Sequence, residues 1–296
     1  MDHSKMQDRQ TVPIDTLARR DALAAMLASH MAALAAMAPA QGAIDRAAEQ
    51  VATALAAGAT LVYAAAGSSG LMALADASEL AGTFGVSSNQ VRVCMAGGVP
   101  VDGVMPGDTE DDVQDATLAA QALKPGDLVL VLSASGTTPY AIAFAKTAKA
   151  RGNTVVAIAN AENTPLLALA DVGIALSTGP EVVEGSTRLG AGTAQKVALN
   201  MISTQAGILL GHVHDGLMVN LVPDNIKLRQ RALRIVMQIT DVSEEIAQSA
   251  LDLANSDTKL AVLLAAGLNI EVARKRLSES SGRLRDCMPD TRTKTN

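Results

Sequence analysis

The apolar positions of this chain fall into three regimes. From about Ile14 to Gly58, Ala, Leu and Met recur at mixed three- and four-residue spacings, which predicts two helices separated by an interruption around Pro39 to Gly42. Five short apolar runs follow, each bounded by turn or polar residues: ATLVYAAA at 59–66, VRVCM at 91–95, DLVLVLS at 127–133, NTVVAIAN at 153–160 and DVGIALS at 171–177. Runs of this length without polar alternation read as buried strands. Helix-compatible segments such as Pro139–Arg151 and Pro165–Ala170 lie between them. The alternation predicts an α/β domain, a mostly parallel sheet with helices on both faces. After Gly192 strands stop, and helical patterns run through 194–210, 224–254 and shorter pieces from 258 to 277. The expected organisation is an N-terminal helical segment at 1–57, an α/β domain at 58–222, a helical C-terminal region at 223–277 and a flexible, apolar-poor tail at 278–296.

Composition narrows the chemistry. Hydrophobic residues make up 49% of the 296, yet there is no Trp and only two Tyr and two Phe, so the core is built from Ala, Val, Leu, Ile and Met. A formal charge of -6 argues against a nucleic-acid partner, and the scarcity of aromatics removes base-stacking platforms. Cys94 and Cys287 are far apart and fit no metal-ligand spacing; two free thiols in a reducing compartment are expected. The N-terminus lacks an apolar signal-peptide core. The uncharged stretch at 22–44 contains Ser29, His30, Pro39 and Gly42, which favours a buried or interface helix over a membrane span. The expectation is a cytoplasmic protein with a small soluble ligand.

In open parallel sheets, ligands sit beyond the carboxyl ends of the strands, where the next helix presents unpaired N–H groups. The first predicted strand runs into Gly67-Ser68-Ser69-Gly70 and the third into Ser133-Ala134-Ser135-Gly136-Thr137-Thr138-Pro139. Either loop alone would pass for an ordinary turn or helix cap. Two in one sheet, with no nucleotide-binding Lys or dinucleotide fingerprint, favour a phosphomonoester held by hydroxyls and backbone amides.

The words GSSGLMALADASE, AGTFGVS, SASGTTPYAIA, TGPEVVEGSTRLGAGTAQKVALNMIST and LMVNLVPDNIKLRQRALRIV occur in that order. Together, from about Gly58 to Leu277, they resemble the N-acetylmuramic acid 6-phosphate etherases. The resemblance implies a five-stranded sugar isomerase (SIS) domain followed by a helical region, a homodimer, a phosphorylated amino sugar as substrate and a place in peptidoglycan recycling. It also implies cleavage of a D-lactyl ether without metal or organic cofactor. By the same resemblance Glu79, in the DASE word, is the acid for lactate departure, and Glu110 the base. Ser69, Ser133, Ser135 and Thr138 match phosphate-binding positions, with Gly67, Ser68 and Gly136 completing the loops. Glu181, Ser186, Thr187 and Arg188 form a third candidate loop before a helix expected near Gly192. Arg188 would meet a substrate or partner carboxylate, or pair with Glu181 or Glu184.

Three positions that are basic in the family are not basic here, namely Leu71, Thr137 and Gly190, so a less cationic site is expected. The N-terminal segment lacks family words too, and His212, His214 and Asp215 replace common Lys, Tyr and Asn. The two histidines are expected to face solvent, without a metal. Two other readings share the architecture: a non-catalytic sugar-phosphate sensor, resembling the glucokinase regulatory protein, and an aldose–ketose isomerase.

Overall fold

A computed structural model describes residues 12–289. The five expected runs become β1 (Leu61–Ala65), β2 (Val91–Met95), β3 (Leu128–Ser133), β4 (Thr154–Ala159) and β5 (Val172–Ala175). They form one parallel sheet in the order β2-β1-β3-β4-β5. Side chains alternate across it, as the strand period of two requires. Leu61, Tyr63, Leu130, Leu132 and Ile158 face α2 (Met37–Ala56), α3 (Gly67–Phe84) and α7 (Gly190–Leu209). Val62, Ala64, Val129, Val131 and Ala157 face α4 (Val113–Gln121), α5 (Pro139–Ala150) and α6 (Pro165–Leu169). With helices on both faces, the central strands β1 and β3 are buried throughout, which is why they carry no polar alternation.

Several boundaries differ from the pattern-based expectation. The N-terminal break falls at Ala36, between α1 (Arg19–Ala35) and α2, rather than at Pro39–Gly42. Pro39 sits in the first turn of α2, where its missing N–H would have had no intrahelical partner anyway. The two helices also differ in burial: α2 buries eight residues, whereas α1 buries Ala33 alone. Among the described residues no single helix is long and apolar enough to cross a membrane; α1 and α2 meet that test only as a pair bent by 47°.

Strands do not stop at β5. A short hairpin, β6 (Val213–His214) and β7 (Leu217–Met218), turns at Asp215-Gly216 after α7. The long pattern at 224–254 divides into α8 (Ile226–Thr240) and α9 (Glu244–Leu253), because Asp241 adopts a left-handed conformation that ends α8. With α10 (Thr258–Ala265), α11 (Ile270–Glu279) and α12 (Leu284–Cys287) these helices enclose a core of their own. The tail expected from 278 onward is corrected accordingly: Leu284 and Cys287 are buried in that core, and Arg276 donates to the Cys287 carbonyl at 3.0 Å. Positions 290–296 of that expected tail lie outside the described residues.

Candidate active site

The loop after β3 gathers hydroxyls. Ser133 Oγ lies 2.8 Å from Thr138 Oγ1 and 3.4 Å from Ser135 Oγ, and it accepts from the Gly136 N–H at 3.0 Å. Thr137, which stands where the family carries Arg, turns its own hydroxyl to Ser135 Oγ at 2.9 Å. That position therefore adds a neutral donor to the cluster rather than a cation. Ser133 is buried while Ser135 and Thr137 are exposed. Gly136 has φ +67°, and a Cβ there would stand 2.3 Å from Thr164 Oγ1, so only glycine lets the loop lie against the start of α6. Pro139 opens α5 at its first position.

The start of α3 lies beside this loop. Gly67 opens the helix with φ +55°, and an added Cβ would come within 2.4 Å of Glu110 Oε1. The Glu110 carboxylate thus rests directly against Gly67. Its backbone carbonyl accepts from the N–H of Tyr140, in the first turn of α5, at 3.0 Å. An exposed carboxylate is in this way fixed between the two strand-end loops. Ser68 is half-buried and Ser69 is buried in the first turn of α3; Leu71, at the second family-basic position, is half-buried one residue past Gly70.

Glu79 is not brought to the same place. It lies twelve residues beyond Gly67 on α3, about 18 Å along the axis at 1.5 Å per residue, and it is exposed. The helix between them is rigidly held. Asp76 is buried; it accepts from Tyr63 of β1 at 2.8 Å and from Ser203 of α7 at 3.0 Å, and burial raises its pKa.

At the third loop, Glu181 accepts from the N–H groups of Gly190 and Ala191, both at 2.8 Å. Both of its oxygens cap α7, which starts at Gly190 rather than near Gly192, so Glu181 positions the helix instead of facing a ligand. Arg188 makes no ion pair within 4.0 Å among the described residues; pairing with Glu181 or Glu184 is not seen, and its side chain is exposed. Ser186 is half-buried and Thr187 exposed; the Thr187 carbonyl accepts from Gly192 N–H at 2.8 Å. A Cβ on Gly190 would stand 3.3 Å from Ala33 Cβ, and His30 Nδ1 lies 3.2 Å from Thr193 Oγ1. A side chain at Gly190 would therefore meet both Glu181 and α1, which packs against this face of α7.

Two residues not named among the expected site residues join these loops. Asn160, just past β4, donates its backbone N–H to Ala134 in the hydroxyl loop at 2.9 Å, and its Nδ2 to the Ala191 carbonyl at 3.3 Å. Gln195, 1% exposed, donates to Asn160 Oδ1 at 2.8 Å. The position of Asn160 at a strand's carboxyl end was a usable signal; Gln195 lies inside the word at 178–204, but nothing in that word sets it apart from its helical neighbours.

At its other end α3 is clamped to the hairpin and the helical region. Asn220 Nδ2 donates to the Phe84 carbonyl at 2.7 Å, and the Asn220 carbonyl fits against Gly85, where a Cβ would come within 2.2 Å. The expected solvent exposure of the histidines is corrected: His214 is buried, and His212 is held neutral, with its pKa pushed down to about 4 by burial and by the nearby Lys259 cation. Burial brings Lys259 itself down to about 8. Among the described residues no group of three His, Cys, Asp or Glu side chains is arranged to hold a metal ion.

Comparison with known proteins fits this geometry. The family model of the SIS domain matches residues 27–160. The N-acetylmuramic acid 6-phosphate etherase of Aeromonas hydrophila is 42% identical over 82% of this chain and 83% of its own length. That of Pseudoalteromonas atlantica is 36% identical over 96% and 94%. Among solved structures, a Bacteroides fragilis protein described as a phosphosugar isomerase involved in capsule formation superposes with a TM-score of 0.53 at 18% identity, covering 67% of this chain and 95% of its own, which is a likeness of fold. With identity at this level over most of both chains, this protein belongs to the N-acetylmuramic acid 6-phosphate etherase family.

Proposed function

We propose that this chain cleaves the D-lactyl ether of N-acetylmuramic acid 6-phosphate, giving N-acetylglucosamine 6-phosphate and D-lactate, as a carbon–oxygen lyase of cytoplasmic cell-wall recycling. The observation that carries the reading is the Glu110 carboxylate set between the β3 hydroxyl loop and the start of α3. The loop's hydroxyls and the N-terminus of α5 suit a phosphate. With the sugar ring open, the aldehyde acidifies the C2 proton; Glu110 takes it, the C3–O bond breaks, and an acid delivers a proton to the departing lactyl oxygen. Water then adds across the C2–C3 double bond, returning a proton to C2 and a hydroxyl to C3. No redox change and no cofactor enter this balance.

The acid in this reading is Glu79, by family resemblance, and the spacing along α3 favours a particular route for it. About 18 Å of helix is longer than a hexosamine phosphate, and Asp76 holds that helix in place, so the Glu79 that meets a given Glu110 comes from a second copy. The active unit is accordingly a homodimer with two composite sites. With Leu71, Thr137 and Gly190 at positions that are cationic in the family, Arg188, exposed and without an ion pair within 4.0 Å among the described residues, is our candidate for the lactyl carboxylate.

Incubating the purified protein with N-acetylmuramic acid 6-phosphate and assaying D-lactate tests the reading. Release at a rate that Glu110→Gln abolishes is expected. No release from this or other acidic sugar phosphates, combined with ligand-induced thermal stabilisation that survives both Glu→Gln changes, would establish a sensor instead.

A further inference from the structure

We propose that Asn160 and Gln195 are positioning residues that hold the loop of Ser186, Thr187 and Arg188 at a fixed spacing from the hydroxyl loop, and that this spacing makes the site selective for a phosphosugar carrying a second anion. The inference rests on the substrate proposed above and on Arg188 as the partner of its lactyl carboxylate; it adds what sets the distance between the two anion-binding loops.

These loops belong to elements distant in sequence. The hydroxyl loop follows β3, whereas Arg188 stands two residues before α7 begins. Asn160, the first residue after β4, bonds to both. Its backbone N–H goes to the Ala134 carbonyl inside the hydroxyl loop at 2.9 Å, and its Nδ2 goes to the Ala191 carbonyl in the first turn of α7 at 3.3 Å. Gln195, one turn further along α7, donates to Asn160 Oδ1 at 2.8 Å. The Asn160 amide therefore has one orientation, since reversing it would set donor against donor and acceptor against acceptor. Glu181 takes the Ala191 N–H at 2.8 Å, so the residue three positions after Arg188 is gripped at both its N–H and its carbonyl.

Stability alone does not account for an amide at 195. Its side chain is 1% exposed, and Gln195 Oε1 has no hydrogen-bond partner among the described residues. A buried acceptor without a partner is destabilising, and an apolar side chain of similar size would carry none. What the amide supplies is the donor that orients Asn160, at the carboxyl end of a strand where ligands sit. Selectivity follows from the spacing. A ligand with a phosphate alone meets one loop, whereas a ligand with a lactyl carboxylate as well meets both, so only the second depends on how far apart they are held.

Isothermal titration of the full chain carrying Glu110→Gln, to prevent turnover, tests this with N-acetylmuramic acid 6-phosphate and N-acetylglucosamine 6-phosphate, which differ by the lactyl group. In that background Arg188→Ala is expected to weaken the muramic ligand by about 10–100-fold and Asn160→Ala by about 10-fold, with the glucosamine ligand within about 2-fold in both. Adding Asn160→Ala to Arg188→Ala should then cost nothing more, because the first acts through the second. Gln195→Met, which keeps the volume and drops the unpartnered acceptor, should repeat the Asn160→Ala pattern and serves if that variant does not fold. Equal weakening of both ligands by Asn160→Ala and Gln195→Met, or a loss that adds in full to that of Arg188→Ala, overturns the proposal and leaves an ordinary packing role. A parent that binds neither ligand defeats the proposed substrate and this inference together. A wild type that releases no D-lactate, with the selective loss intact, defeats the reaction and leaves the positioning role standing.

Discussion

The two ends of α3 are built differently. Its first turn is a polar junction where the Glu110 carboxylate lies against Gly67, and the Glu110 backbone carbonyl takes the Tyr140 N–H just after the hydroxyl loop of 133–138. Its last turns carry Glu79 into solvent, and Asn220, which holds this end, grips the backbone of Phe84 and Gly85 rather than any ligand-facing group. One end thus gathers candidate ligand-facing groups and the other is an anchor. The difference is what the proposed sharing of Glu79 and Glu110 between two chains rests on.

The comparison can be broken most severely at the carboxylates. Glu110→Gln and Glu79→Gln are each expected to lower D-lactate release by roughly 10²–10⁴-fold, the usual contribution of a positioned acid or base. Glu79→Gln should leave affinity for N-acetylglucosamine 6-phosphate nearly unchanged in isothermal titration, since the proposed acid meets the lactyl oxygen, which that product lacks. Next in size is the pin that keeps the two ends apart. Asp76→Ala strands the hydroxyls of Tyr63 and Ser203 in the core and should cost about 2–4 kcal/mol in denaturant unfolding.

Gly67→Ala sharpens the first-turn side of the comparison. A Cβ at φ +55° and 2.4 Å from Glu110 Oε1 must displace that carboxylate, and kcat should fall about 10-fold with a loss of roughly 1–2 kcal/mol of stability. The smallest effect is expected at the anchored end. His212 has a folded pKa of about 4 against about 6.5 unfolded, so between these values the unfolded chain binds the extra proton. Its contribution is fully present above pH 6.5 and is lost as pH falls toward 4. The drop in Tm from pH 7 to pH 5 should be shallower in His212→Gln than in wild type.

Much of this was legible beforehand. All five strands follow from apolar runs, and β1 and β3 are continuous because helices cover both faces of the sheet. The hydroxyl loop and the start of α3 were marked by Ser and Gly at strand ends. What was not legible depends on tertiary placement. Glu181 shared a word with binding residues, yet the start of α7 takes both of its oxygens. His212 and His214 read as turn residues because the helices that cover them arrive from far along the chain, including the segment at 284–287. Gln195 is an ordinary helical residue until Asn160 is brought to it by the sheet. Glu79 and Glu110 were named by resemblance, but their separation was hidden because spacing in sequence does not say that a straight, pinned helix lies between them.

The most direct test of the composite site is to mix the two single variants. Glu79→Gln and Glu110→Gln chains, each inactive alone, are co-refolded and assayed for D-lactate release. Random pairing makes half the dimers hybrid, and each hybrid has one site with both carboxylates, so about one quarter of wild-type activity should return. A mixture no more active than its parents would place both glutamates of a site in one chain and contradict this account.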